Sequence, residues 1–229
     1  MKTVGIIGGL GPETTSKFYL EVVFLCFEKD KINRPPMLIW NVPLSYDIEE
    51  KFITQAQGKE KYLPFLVEAA QRLEKGGADF IVIPCNSVHV LIDEVKKAVN
   101  IPVLSIIEET VQFLKKRDIL AVGLLATSST IREKLYENKL SQNGITVKNL
   151  ENEDQKLIGD IINNLVHSRQ DDVDKKKLVE ITQNFVDKGI RTILLACTDL
   201  QLITPAIADI EIIDSMEILV QSTVREILK

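Results

Sequence analysis

The stretch Phe80-Ile81-Val82-Ile83-Pro84-Cys85-Asn86-Ser87 is an apolar run that stops at a cysteine, and Thr192-Ile193-Leu194-Leu195-Ala196-Cys197-Thr198-Asp199 repeats the pattern far downstream. Continuous apolar runs of this length suit strands buried on both faces, as in parallel sheets covered by helices. Ligands of open α/β sheets bind at the carboxyl ends of the strands. Both sulfurs are therefore expected to project into a site rather than into the core.

Around these runs, strand and helix patterns alternate. Strands are expected over 3–8, 37–42, 80–84, 120–126, 146–149, 192–196 and 210–213. Helices are expected over 13–28, 59–75, 87–99, 108–116, 131–142, 154–166, 174–188 and 216–228. Such alternation implies a mostly parallel sheet with helices on its faces. The chain also repeats itself. Val4-Gly5-Ile6-Ile7-Gly8 leads into Thr14-Thr15, as Val122-Gly123-Leu124-Leu125-Ala126 leads into Thr127-Ser128-Ser129-Thr130. Cys85 follows Gly5, and Cys197 follows Gly123, at similar intervals. The fold class expected is α/β, with two pseudo-symmetric lobes, each a mostly parallel sheet flanked by helices, and the active site in the cleft between them. The first lobe is assigned 1–103, completed by 207–229, and the second 104–206.

At 229 residues and 45% hydrophobic the chain can bury a full core. A formal net charge of -5, with Lys and Arg scattered among acids, offers no basic surface, so neither nucleic acid nor anionic lipid is expected as a partner. The N-terminal apolar run breaks at Gly8-Gly9, too soon for a signal sequence or a membrane span, and the expected location is the cytoplasm. Three cysteines, without a Cys-x-x-Cys pair, argue against a disulfide framework and a zinc site. Cys26 lies in an apolar helical stretch and is read as core.

Four motifs in this order carry a resemblance: Gly8-Gly9-Leu10-Gly11-Pro12, Pro84-Cys85-Asn86-Ser87-Val88-His89, Leu125-Ala126-Thr127-Ser128-Ser129-Thr130 and Ala196-Cys197-Thr198-Asp199. Together they resemble the cofactor-independent aspartate/glutamate racemases, the aspartate branch above all. The resemblance implies two lobes, a homodimer, an amino-acid substrate and no cofactor or metal. It also implies Cys85 and Cys197 as the catalytic pair. Inverting a stereocentre requires proton removal from one face of the α-carbon and delivery to the other, so two acid/base groups are needed, one starting as thiolate and one as thiol. A free thiol titrates near about 8.5, and a helix N-terminus after each cysteine is expected to favour the anion.

The residues implied to hold substrate are Leu10, Asn86, Ser87, Val88, Thr127, Ser129, Thr130 and Thr198. Lys156 aligns with a lysine that the family sets against a substrate carboxylate. The loop 41–50 carries acids where aspartate racemases often have an arginine, and Asp47 is read as a partner for the substrate ammonium. Asp199 stands where many relatives have glutamate. His89, one turn after Cys85, either tunes the thiol or satisfies a helix end.

Aspartate is the first substrate expected; glutamate or a broader set of amino acids is the alternative. The same scaffold also admits maleate isomerase, hydantoin racemase, arylmalonate decarboxylase or a binding protein without turnover. A dinucleotide-binding oxidoreductase is suggested only by Gly9-Leu10-Gly11. Thr14 stands where the fingerprint needs a small residue, and Pro12 interrupts the turn.

Overall fold

The two cysteine-terminated runs form one strand in each of two separate parallel sheets. The computed structural model describes residues 1–31 and 33–229. Its first half runs β1 (Val4–Gly8), α1 (Pro12–Asp30), β2 (Met37–Asn41), α2 (Tyr46–Gln55), α3 (Lys59–Lys75), β3 (Phe80–Val82), α4 (Ile92–Lys97) and α5 (Ile106–Lys116). The second runs β4 (Ala121–Ala126), α6 (Ser128–Arg132), α7 (Leu135–Ser141), β5 (Thr146–Lys148), α8 (Asn152–Val166), α9 (Asp172–Asp187), β6 (Thr192–Ala196), β7 (Glu211–Asp214) and α10 (Ser215–Ile227).

Strand order is β2-β1-β3 in one sheet and β5-β4-β6-β7 in the other, all parallel. The first strand of each half is therefore central, with the cysteine strand beside it. Gly5 and Gly123 occupy matching places in β1 and β4. A Cβ on Gly5 would meet Leu73 of α3 at 3.1 Å, and one on Gly123 would meet Phe185 of α9 at 2.8 Å, so each glycine lets a helix close onto its sheet.

Alternate residues of each strand face different cores. Ile6 and Val82 of the first sheet and Leu124 and Ala126 of the second share one central core with Phe18, Val22, Leu114 and Leu219, so α1, α5, α7 and α10 form a helical layer between the sheets. Cys26 is fully buried in this layer. On the outer face of the first sheet, Ile7 and Ile81 pack against Leu66 and Leu73 of α3. On that of the second, Leu125 and Ile193 pack against Ile162 of α8 and Phe185 of α9.

Four sequence expectations change. The segment 207–229 divides: β7 pairs with β6 and extends the second sheet, while α10 packs on α1 and α5. The single helix expected over 131–142 is two, α6 and α7, separated by Lys134 in the left-handed region at φ 50°. The helix expected over 87–99 opens as a 3-10 turn, Ser87–Leu91, before the short α4. The segment 41–50, taken as loop, contains most of the first turns of α2. Ile48, Phe52 and Ile53 of α2 are the apolar face of that helix, and Pro43 with the surrounding acids obscures it.

A buried polar chain ties the layers together. Tyr136 Oη of α7 donates to Asn86 Oδ1 at 2.6 Å, Asn86 Nδ2 donates to Ser215 Oγ at 3.0 Å, and Ser215 Oγ donates to the Leu195 carbonyl at 2.7 Å. Tyr136→Phe leaves Asn86 Oδ1 without this donor, and the expected outcome is a loss of about 1–3 kcal/mol in urea unfolding with no change in secondary structure.

Candidate active site

Cys85 and Cys197 line one cavity between the two sheets. Each follows the carboxyl end of its strand, β3 or β6, at the place where a parallel sheet exposes its ligand-binding edge. Leu10, from the turn after β1, and Asn86, Ser87, Val88, Thr127 and Thr198 join the same wall. The hydroxyls are mutually linked: Ser87 Oγ lies 2.8 Å from Thr127 Oγ1 and 3.3 Å from Thr130 Oγ1, and Thr198 Oγ1 donates to the Pro84 carbonyl at 3.2 Å. Thr127 also caps α6 through the Thr130 N–H.

Four expected site residues, Asp47, Lys156, Ser129 and Thr130, lie outside the cavity lining. Asp47 is exposed, accepting from Ser45 Oγ at 2.7 Å and facing Lys51 across 4.0 Å. Lys156 is exposed on α8, where the neighbouring Gln155 instead reaches inward to the Ala126 carbonyl. Ser129 is buried behind the cavity wall with its hydroxyl unpaired among the described residues. Thr130 supports Ser87 and Thr127 from behind.

Sequence reasoning missed Glu49, Phe52 and Tyr62, and it singled out Asp199 without placing it in the site. All four line the cavity. Phe52 and Tyr62 pack with ring centroids 4.6 Å apart. Asp199 accepts a short hydrogen bond from Thr14 Oγ1, and its Oδ2 lies 3.9 Å from Cys197 Sγ. The polar start of α1 thus reaches across to the second cysteine motif.

Burial governs the acid groups. It pushes Cys85 up to about 12, with the charges of Asp199 and Glu49 adding to the shift. Burial and then the charge of Asp199 push Cys197 well above its ordinary range. Burial also raises Asp199 to about 6 and Glu49 to about 7. The dipole expected to ionise the thiols is small, because both cysteines precede 3-10 turns, Ser87–Leu91 and Leu200–Leu202, rather than long α-helices. What the turns supply is a cup of backbone N–H groups: Ser87 and Val88 toward Cys85, Asp199 and Leu200 toward Cys197.

His89 does not face the cavity. Its Nδ1 lies 2.8 Å from the Cys85 carbonyl, and its Nε2 accepts from the Ile106 N–H at 3.1 Å. A carbonyl only accepts and an amide N–H only donates, so the ring is neutral with its proton on Nδ1. It satisfies the start of α5 and anchors the turn after Cys85, which selects the second of the two readings offered by the sequence.

The cavity is closed to about 20 Å³, close to the space of a single water. Helix α2 covers it, packing on α6 and α8 of the second half. Arg132 donates to the carbonyls of Gln55 and Ala56 at 3.1 and 3.0 Å, and Lys59 pairs with Glu133 at 2.9 Å. Among the described residues no three His, Cys, Asp or Glu side chains are gathered as metal ligands, and no helix is long and apolar enough to cross a membrane.

Two parallel α/β sheets closing a small cavity between their carboxyl ends, one cysteine from each, place the protein among the two-lobed amino-acid racemases, a class of isomerases. The sequence matches the Asp/Glu/Hydantoin racemase family over residues 7–223, and the chain belongs to that family. It is 31% identical to the broad specificity amino-acid racemase RacX of Bacillus subtilis, with 96% of each chain covered. Among solved structures it is similar to an aspartate racemase homologue from Pyrococcus horikoshii at TM-score 0.79 and 29% identity, with both chains fully covered. The fold is also that of the Picrophilus torridus aspartate racemase, at TM-score 0.81 and 24% identity over 100% of this chain and 95% of that one.

Burial lowers His89 to about 4 from 6.5. The unfolded chain therefore binds this proton first, and the stability linked to His89 is complete above pH 6.5 and lost as pH falls toward 4. Urea midpoints at pH 7 and pH 5 should differ less in His89→Gln than in the wild type.

Proposed function

We propose that the protein racemises amino acids by a two-thiol, 1,1-proton transfer without pyridoxal phosphate or metal. The observation that carries this reading is that two cysteines from different sheets line one cavity. One sulfur, as thiolate, takes the α-proton; the other, as thiol, delivers a proton to the opposite face and becomes the thiolate. The roles exchange for the other enantiomer, so no net proton is consumed.

The α-carboxylate has neutral partners in the hydroxyls of Ser87 and Thr127 and in the N–H groups of the turn after Cys85. The α-ammonium has Asp199. Because the Asp199 charge raises both thiols, pairing it with the incoming ammonium lowers both, and the substrate itself favours the reactive thiolate.

Aspartate, favoured by the sequence motifs, is a poor electrostatic match. Glu49 and Asp199 are the charged residues of the lining, and no Lys or Arg stands beside them among the described residues. A second carboxylate on the substrate would meet like charge in a water-poor space. This supports a broad, non-acidic specificity, in keeping with the broad specificity of the Bacillus relative. The apolar face that α1 leaves exposed, Leu20, Phe24 and Phe27, supports a homodimer.

Proton NMR in deuterium oxide should register loss of the α-hydrogen from free L-amino acids. Cys85→Ser and Cys197→Ser should each slow inversion by more than about 10²-fold while the melting temperature stays close to wild type. Full activity in either single variant contradicts the two-thiol assignment.

A further inference from the structure

The two carboxylates of the cavity are in unequal positions. Asp199 already receives Thr14 and faces Cys197 Sγ. Glu49 has neither a donor nor a cation among the described residues; what acts on it is burial and the like charges of Asp199 and Glu13. A carboxylate enclosed in this way is costly to ionise unless a counterion arrives. Beside it, the rings of Phe52 and Tyr62 form an apolar wall suited to a methylene chain.

A bound amino acid brings one anion and one cation at its α-carbon. Neutral hydroxyls and backbone N–H groups suit the anion, and Asp199, next to the sulfur of Cys197, suits the ammonium. Glu49 is then left over. We propose that Glu49 selects substrates whose side chain ends in a cation, such as lysine, ornithine or arginine, by pairing with that cation. The proposal rests on the racemase reading of the same cavity. A neutral side chain of equal length leaves Glu49 unpaired, and an acidic one sets like charge against it.

The test compares L-lysine, L-norleucine and L-aspartate, followed by loss of the α-hydrogen in deuterium oxide. The wild type should turn over lysine with a kcat/KM on the order of 10²-fold above that of norleucine, with aspartate the slowest. Glu49→Gln should collapse the lysine-to-norleucine ratio by a similar factor, and Glu49→Asp should restore part of it. Faster turnover of aspartate than of lysine, or a ratio unmoved by Glu49→Gln, overturns the proposal. Equal losses for lysine and norleucine also overturn it, since Glu49 would then serve the α-ammonium.

Calorimetric binding of the same three amino acids to the Cys85→Ser, Cys197→Ser double variant separates this proposal from the reading beneath it. If no amino acid is exchanged by the wild type but lysine still binds more tightly than norleucine, the two-thiol mechanism fails and the selection stands. Equal binding of lysine and norleucine defeats the selection, whatever the chemistry.

Discussion

The cavity between the sheets encloses Cys85, Cys197, Glu49 and Asp199 without a matching cation and with room for little water. Every ionisable group there is held toward its neutral form, because removing water penalises charge and the remaining neighbours are of the same sign. Burial accordingly pushes both thiols above their ordinary range and raises Asp199 to about 6 and Glu49 to about 7. On the proposed reading a zwitterion completes what the protein leaves out. Its ammonium would remove part of the repulsion that keeps the sulfurs protonated, so that binding and activation would be a single electrostatic event.

Most of the fold could be read from the chain, because a strand buried on both faces writes its signature locally. The runs ending at Cys85 and Cys197 and the paired glycines, Gly5 and Gly123, need no distant information to be recognised. What escaped depends on distant partners. Strand β7 belongs to the second sheet because β6 offers an edge beside it, and nothing in 210–213 says so. The turn after Cys85 is 3-10 rather than α-helical, and in it His89 is held between the Cys85 carbonyl and the Ile106 N–H, a contact made only in the folded chain.

The site was legible to a similar degree. Most motif residues at the strand ends line one cavity, with Ser129 and Thr130 behind its wall, whereas the acid chosen from the 41–50 segment was Asp47 and the one that enters the cavity is Glu49. Once that segment is a helix the reason is geometric: residues two apart point about 200° around the axis from one another, so only one of the two can face inward. Lys156 fails for a related cause, since Gln155 takes the inward direction on α8. The sequence reads Asn86 as a substrate contact and His89 as tuning the thiol or satisfying a helix end. Asn86 does line the cavity, but the side chains of both are engaged in holding α5, α7 and α10 against the turn after Cys85.

Helix α2 starts in the first half of the molecule and is fastened to the second by Arg132 on the Gln55 and Ala56 carbonyls, next to the Lys59–Glu133 pair. With only about 20 Å³ beneath it, an amino acid bound as proposed would need those fastenings to release before entering or leaving. The fastenings sit at the solvent edge, where dissolved ions weaken them, while Cys197 is buried and Cys85 half-buried beneath the helix. On the proposed reading, passage through the doorway and reaction behind it would answer to different variables. Ionic strength and viscosity would act chiefly on the first, and the electrostatics of the cavity on the second.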